Sequence, residues 1–180
     1  MKGVELTEAF VSGEEVWSGG LLHVQRHVVR LADGSNGVRE FIRHPGAVLI
    51  APLFDDGRVL FERQFRYPLA REFIELPAGK KHPGEDALLT AQRELKEETG
   101  YSARHWTRLG VIHNAIGYSD EGIELFVARG LAPGERRLDE GEFLDVFTLL
   151  MAEALAMIAD GRITDAKTVA ALLWVRQFEG

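Results

Sequence analysis

One stretch of the sequence decides the fold: Gly79-Lys-Lys-His-Pro-Gly-Glu85-Asp-Ala-Leu-Leu-Thr-Ala-Gln-Arg93-Glu94-Leu95-Lys96-Glu97-Glu98-Thr99-Gly100-Tyr101. Its helical spacing predicts a helix over 85–99, with one side formed by Leu88, Ala91, Gln92 and Leu95. Acidic residues in the predicted first turn suit the helix dipole. Gly100 follows the last turn, where a left-handed cap is commonly needed.

Three carboxylates share one face of this predicted helix, because Glu94, Glu97 and Glu98 lie three or four positions apart. Carboxylates this close repel one another, which raises their pKa values unless a cation lies between them. A cluster of oxygen ligands suits a hard divalent ion such as Mg²⁺ or Mn²⁺. Arg93 is placed to orient a carboxylate by bidentate pairing. The alternative is a solvated acidic helix face.

The composition narrows the class of protein. The chain has 180 residues, 46% of them apolar, which fits one packed domain with at most a small appendage. The absence of cysteine excludes disulfides, zinc–thiolate sites and cysteine nucleophiles, and makes the cytoplasm the expected location. A net charge of -7 argues against a nucleic-acid partner. We expect neither a secretory signal nor a membrane-spanning segment.

The residues on either side of the predicted helix read mostly as strands. We predict strands over 15–19, 21–31, 38–42, 47–54, 58–65 and 73–76, with a hairpin turn at Asp55-Asp56-Gly57. Further strands are predicted over 106–113, 123–128 and 143–148, and helices over 151–159 and 165–178. This mixture indicates an α/β or α+β layered domain over 43–180, preceded by an antiparallel β segment over 1–42.

The stretch from Gly79 to Tyr101 resembles the Nudix box, G-x5-E-x7-R-E-U-x-E-E-x-G-U, where U is an apolar or aromatic residue. Every specified position is filled, by Gly79, Glu85, Arg93, Glu94, Leu95, Glu97, Glu98, Gly100 and Tyr101. The resemblance implies a hydrolase with an α/β/α sandwich and a mixed sheet, whose loop–helix–loop binds divalent metal ions against a diphosphate.

The same resemblance implies a role for each residue of the box. Glu94 and Glu98 would be the main metal ligands, with Glu97 contributing and Glu85 supporting the site or a further ion. The carbonyl of Ala78 is a further expected ligand. Two or three ions are implied, Mg²⁺ or else Mn²⁺. Structural roles fall to Gly79, Arg93 and Gly100.

The residues before the box resemble the ADP-ribose pyrophosphatase branch of this family, and the likeness spans roughly 21–178. The matching segments are Glu62-Arg63-Gln64-Phe65-Arg66-Tyr67-Pro68 and Glu72-Phe73-Ile74-Glu75-Leu76-Pro77-Ala78-Gly79. Arg66 is the best candidate for a phosphate contact, since a guanidinium pairs bidentately with phosphate oxygens. Weaker candidates for substrate binding are Arg63, Gln64, Glu75 and Tyr118. The branch implies hydrolysis of ADP-ribose to AMP and ribose 5-phosphate.

A water-activating base is still required. The segment Leu138-Asp139-Glu140-Gly141-Glu142-Phe143-Leu144-Asp145-Val146 resembles the acidic loop from which relatives supply a base or an extra metal ligand. We favour Glu142 over Glu140, with Glu97 as a further catalytic candidate. The alternative for this segment is a solvated turn.

The substrate loop matches the branch only in part. ADP-ribose enzymes typically have a proline fifteen residues past the box, where this chain has Ile116. GDP-mannose or another nucleoside-diphosphate sugar is therefore an alternative substrate. A nucleoside triphosphate hydrolase and a non-catalytic nucleotide-binding module are less favoured readings.

The candidates for an adenine-stacking platform are Trp17, Phe41 and Tyr118. Relatives form homodimers with exchanged N-terminal segments, which implies dimer contacts within 1–42 and places Trp17 near a partner's site. The other expected partner is a small nucleotide substrate.

Overall fold

A computed structural model describes residues 6–138 and 140–178. Its strands are β1 (Ala9–Ser18), β2 (His23–Arg30), β3 (Asn36–Arg43), β4 (Ala47–Pro52), β5 (Arg58–Arg66), β6 (Arg71–Glu75), β7 (Ala78–Lys80), β8 (Tyr101–Ile112), β9 (Ile123–Pro133) and β10 (Leu144–Leu150). Its helices are α1 (Ala87–Thr99), α2 (Met151–Ala159) and α3 (Ala166–Phe178).

The described residues divide into two compact units. The first unit extends to His44 and also includes Ala115–Glu121. The second unit comprises Pro45–Asn114 and the residues from Gly122 onward. A division at residue 42 was predicted from the sequence, and the role of the N-terminal segment in dimer contacts stays a prediction.

The first unit is an antiparallel sheet in the order β1-β2-β3, to which the segment 115–121 is attached. The amide of Ile42 donates to the carbonyl of Tyr118 at 2.8 Å. The carboxylate of Asp120 accepts from Arg43 Nη1 at 2.9 Å and from the amide of His44 at 2.8 Å. The predicted substrate loop is therefore fixed to β3.

The second unit has helices on both sides of a buried sheet. Its four-stranded sheet has the order β7-β4-β9-β8 and is mixed, because β4 and β9 are parallel and the other pairs antiparallel. A second sheet has the order β10-β5-β6. Along β4, Val48 and Ile50 pack in the cluster that contains α1, whereas Leu49 and Ala51 pack in the cluster that contains α2 and α3. Period-two alternation with both faces buried produces the predicted layered α+β sandwich.

Helix α1 begins two residues later than predicted, at Ala87, because Asp86 is its N-cap. The Asp86 carboxylate accepts from the amides of Leu88 and Leu89, which satisfies two otherwise free donors. The first turn contains no acidic residue, so the expected acidic first turn was wrong. Gln92 is exposed, although it was predicted on the apolar side. Gly100 has φ 78°, as expected of a left-handed C-cap.

The other predicted helices and strands are confirmed, most of them with shifted ends, and β7 was missed because three residues are too few to show a pattern. The turn at 55–57 is present, but the predicted hairpin was wrong, because β4 and β5 belong to different sheets and an isolated bridge between Leu53 and Val59 lies beside the turn. The predicted first strand covered only the second half of β1, all ten residues of which are exposed and therefore show no alternation. None of the helices in the described part of the chain combines the length and the apolar character that crossing a bilayer requires.

Candidate active site

Arg93 on α1 lies at the centre of the predicted carboxylates. Its Nε donates to Glu85 Oε1 at 3.0 Å, and its Nη1 donates to Glu94 Oε1 at 2.9 Å and to Glu97 Oε2 at 3.0 Å. Its Nη2 donates to the carbonyl of Lys80 at 3.2 Å, which ties the helix to β7. One guanidinium with five donors therefore holds three of the four predicted carboxylates in a fixed array.

The charges in this array alter the ionisation of its members. The hydrogen bonds from Arg93, and then that from the amide of His82, lower the pKa of Glu85 to about 2. Burial raises the pKa of Glu94, and repulsion from Glu97 and Glu142 raises it further. The positive charge of Arg93 lowers this pKa but does not cancel the effect of burial. Glu85 is thus held as an anion that positions Arg93, whereas the charged form of Glu94 is unfavourable in the metal-free protein.

Glu98 is the buried carboxylate of α1, with 6% of its surface exposed. The amide of Ala78 donates to its Oε2 at 3.1 Å. Burial raises the pKa of Glu98 well above its ordinary value, and the charges of Glu62, Glu94 and Glu142 raise it further. The sequence placed Glu98 on a polar face, but the packing of α1 against the sheet turns it inward.

Gly79 leaves room for the carboxylate of Glu94. A Cβ built on Gly79 would overlap that carboxylate, so any side chain here would displace it. The backbone of Gly79 does not have positive φ, which means that its importance is spatial and not conformational. The missing side chain of Gly79 on β7 therefore provides the space that the carboxylate of Glu94 on α1 occupies.

We expect Gly79→Ala to lower turnover by roughly 10- to 100-fold without unfolding the protein, since β7 accepts alanine and only the end of the Glu94 side chain must move. Steady-state kinetics and thermal denaturation measure the two effects. Gly20→Ala is the matched control, because a Cβ at Gly20 meets nothing within 4 Å. Equal activity in wild type and Gly79→Ala would contradict the pairing of Gly79 with Glu94.

A charged residue that sequence reasoning missed lies in the middle of β5. Glu62 is 1% exposed, and its Oε2 has no hydrogen-bond partner. Burial raises the pKa of Glu62 to about 8, and the charge of Glu75 acts in the same direction. The signal in the sequence was an acid directly after Val59-Leu60-Phe61, a buried apolar run.

Arg66 is paired with a carboxylate of the protein through two of its three nitrogens. Its Nε and Nη2 donate to the two carboxylate oxygens of Glu75 at 2.7 and 2.8 Å. Lys167 at the start of α3 also pairs with Glu75. Although burial opposes them, these cations lower the pKa of Glu75. Glu75 therefore positions Arg66, and the substrate contact predicted for Glu75 stays a prediction.

The remaining predicted site residues are dispersed. Arg63 is exposed and pairs with Asp145 at 3.0 Å, and Gln64 is half-buried beside it on β5. Glu142 is partly exposed, and its charge acts on Glu62, Glu94 and Glu98, whereas Glu140 is fully exposed. The three aromatic candidates, Trp17, Phe41 and Tyr118, belong to the first unit.

Comparison with known proteins agrees with this geometry. A family model described as the NUDIX domain matches residues 43–172. The chain belongs to the Nudix family. It is 36% identical over 178 residues to an ADP-ribose pyrophosphatase of Bacillus subtilis (strain 168), which covers 98% of this chain and 95% of the relative.

Two further similarities extend over almost the whole chain. A methanol dehydrogenase activator of Bacillus methanolicus is 39% identical over 171 residues, covering 94% of this chain and 92% of the relative. A crystal structure of an ADP compounds hydrolase superposes with a TM-score of 0.88 at 27% identity, over 99% of this chain and 96% of that one. The assignment to the Nudix hydrolases made from the box is confirmed.

Nudix hydrolases generally need divalent metal ions. The buried carboxylates of this site supply oxygen ligands alone, and the space at Gly79 admits one of them, so the residues fit a hard cation. Within 6–138 and 140–178, no three acidic or imidazole side chains are already grouped to hold a metal ion. In this arrangement Arg93 donates to Glu94 and Glu97, and the amide of Ala78 donates to Glu98.

Proposed function

We propose that this protein hydrolyses the diphosphate bond of a nucleoside-diphosphate sugar, with ADP-ribose as the preferred substrate and AMP and ribose 5-phosphate as products. The observation that carries the proposal is that Glu94, partly buried beside Gly79, and Glu98, buried on the same helix, both have raised pKa values. Buried acids with raised pKa values in a Nudix box are what a site for cations and a diphosphate requires. The Bacillus subtilis relative, named an ADP-ribose pyrophosphatase, supports the choice of substrate.

In this proposal Glu94 and Glu98 are the main ligands of two or three Mg²⁺ ions, for which Mn²⁺ can substitute. Glu97, Glu85 and the carbonyl of Ala78 complete the set. A divalent cation bound there neutralises the diphosphate and lowers the pKa of the attacking water. Arg93 keeps the carboxylates in place, as its hydrogen bonds to three of them indicate.

We assign the general base to Glu142. Its carboxylate takes the proton of the water that attacks phosphorus, and the bond from that phosphorus to the bridging oxygen breaks. The charge of Glu142 acts on Glu62, Glu94 and Glu98, which supports this choice over Glu140.

Glu142→Gln should therefore lower kcat by about 10²- to 10⁴-fold, whereas Glu140→Gln should keep most of it. The two variants form a matched pair in one loop, separated by a single glycine. Steady-state kinetics of the two purified variants measures kcat for each. A larger loss in Glu140→Gln would exchange the two assignments.

Substrate contacts fall to Arg66, with Arg63, Gln64, Glu75 and Tyr118 as weaker candidates. Glu75 holds Nε and Nη2 of Arg66, which leaves Nη1 to meet a phosphate oxygen. A guanidinium fixed in this way loses little conformational freedom on binding.

We further propose a homodimer formed through the first unit. Strand β1 is exposed along its whole length, including Phe10 at 66% and Trp17 at 63%. An exposed edge strand with large apolar side chains is a surface for pairing. Analytical ultracentrifugation should give a dimer, and a monomer at micromolar concentration would contradict this. The cytoplasmic location stays a prediction from the sequence.

The experiment that tests the function is product analysis with and without Mg²⁺ on ADP-ribose, GDP-mannose, NADH and dGTP. We expect AMP from ADP-ribose with a kcat/KM about 10-fold or more above the others, and no turnover in EDTA. Preference for GDP-mannose would replace the substrate and direct attention to Ile116. The absence of metal-dependent turnover on all four compounds would favour the nucleotide-binding module.

A further inference from the structure

Glu62 is an acid in a place that normally holds an apolar side chain. It is 1% exposed, and Val59, Leu60 and Phe61 before it are buried too. Among the described residues, its Oε2 is the one buried side-chain oxygen or nitrogen without a hydrogen-bond partner. An unsatisfied buried polar group costs roughly 1–3 kcal/mol, and more when it is charged, so the group calls for a partner.

The direction of Glu62 follows from the alternation of β5. Val59 and Phe61 pack in the cluster of α2 and α3, whereas Leu60 packs in the cluster of α1. Glu62 therefore faces the side of α1, like Leu60. Its cross-strand neighbour on β10, Val146, packs against the cluster of α1 as well.

The cations nearest to Glu62 are engaged elsewhere. Arg66 and Lys167 both pair with Glu75, the residue opposite Glu62 on β6. On the same side, Glu98 belongs to α1 and is buried too, with 6% of its surface exposed. Two buried carboxylates thus face one region, with no protein cation bonded to the free oxygen of Glu62.

We propose that Glu62 is a further metal-ligating residue, which binds through Oε2 a divalent cation that it shares with Glu98. This rests on the proposed function, and it adds a ligand from β5 to those of the Nudix box. Mg²⁺ and Mn²⁺ suit the site because both carboxylates offer only oxygen and both are removed from solvent. A buried carboxylate is favourable where it coordinates a metal, so the ion supplies the missing partner.

The test is Mn²⁺ binding to the substrate-free protein, measured by calorimetry and by the electron paramagnetic resonance signal of free Mn²⁺. We expect Glu62→Gln to lose one bound ion or to bind it about 10-fold more weakly. Glu72→Gln is the matched control, since Glu72 lies on β6 with a side chain 61% exposed and should bind as wild type does. Mn²⁺ binding by Glu62→Gln equal to wild type would overturn the inference.

Folding of the variant is checked by thermal denaturation in EDTA, where the removal of a buried group without a hydrogen-bond partner should leave Tm unchanged or higher. If Glu62→Gln does not fold, Glu62→Val repeats the test with a side chain suited to a buried strand. The readout separates this inference from the proposed function. If the wild type hydrolyses ADP-ribose and both Glu62 variants bind Mn²⁺ as the wild type does, the inference about Glu62 is wrong and the proposed function stands. If the wild type neither binds Mn²⁺ nor hydrolyses any tested diphosphate, both the inference and the proposed function are wrong.

Discussion

We expect Glu98→Gln to lower the turnover of ADP-ribose by at least about 100-fold while the protein stays folded. Changes to groups that only support a metal ligand already cost about 10- to 100-fold, so the loss of a ligand itself should cost no less. Glu94→Gln should show the same loss. The amide of Ala78 can still donate to the amide oxygen of glutamine, which preserves the local contact.

Stability distinguishes this effect from unfolding. Burial and the neighbouring charges raise the pKa of Glu98, which means that its anion is unfavourable in the metal-free protein. We therefore expect metal-free Glu98→Gln to have a Tm a few degrees higher at pH 8, because about 1 kcal/mol corresponds to roughly 2–4 °C for a chain of this size. Glu124→Gln on β9 serves as control, since Glu124 pairs with Lys81 and Arg108 outside the site. Wild-type turnover in purified Glu98→Gln would refute the ligand assignment.

The metal-free protein should lose stability as the pH rises from about 5 to 8. The pKa of Glu62 is raised from 4.5 to about 8 by burial, so between these values the folded state binds more protons than the unfolded state. The contribution of Glu62 to the free energy of unfolding is therefore highest below about pH 4.5, falls through this window and levels off above about pH 8. At about 1.4 kcal/mol per pKa unit, the loss is on the order of a few kcal/mol.

Urea denaturation in EDTA at several pH values measures this slope. Glu62→Gln should make the slope shallower, because one raised carboxyl is absent, while Glu94 and Glu98, whose pKa values burial also raises, remain. Glu85 does not interfere, since its pKa is lowered to about 2 and its stabilising charge is lost only below about pH 4.5. A metal-free wild-type protein equally stable at pH 5 and pH 8 would contradict the buried, proton-binding state of Glu62.

The helices and most strands could be predicted because their residues repeat at the period of the element. Helix α2 was predicted with its observed ends, Met151–Ala159. The beginning of α1 was displaced because a cap depends on where one side chain bonds, and Asp86 rather than Glu85 takes that role. Strand β7 is defined by its pairing with β4, which no local pattern shows.

The sequence by itself determined the family and the set of carboxylates, because the spacing of Glu94, Glu97 and Glu98 on a helix is a local property. Only the tertiary structure decided what each of them faces. Packing of α1 on the sheet buries Glu98, and β5 brings Glu62 to the same side, from a position outside the box. The cross-strand pairing of β5 with β6 places Glu62 opposite Glu75, which in turn holds Arg66. The physical reason is that burial and pairing of charges depend on contacts between distant segments, which the order of residues in one segment does not contain.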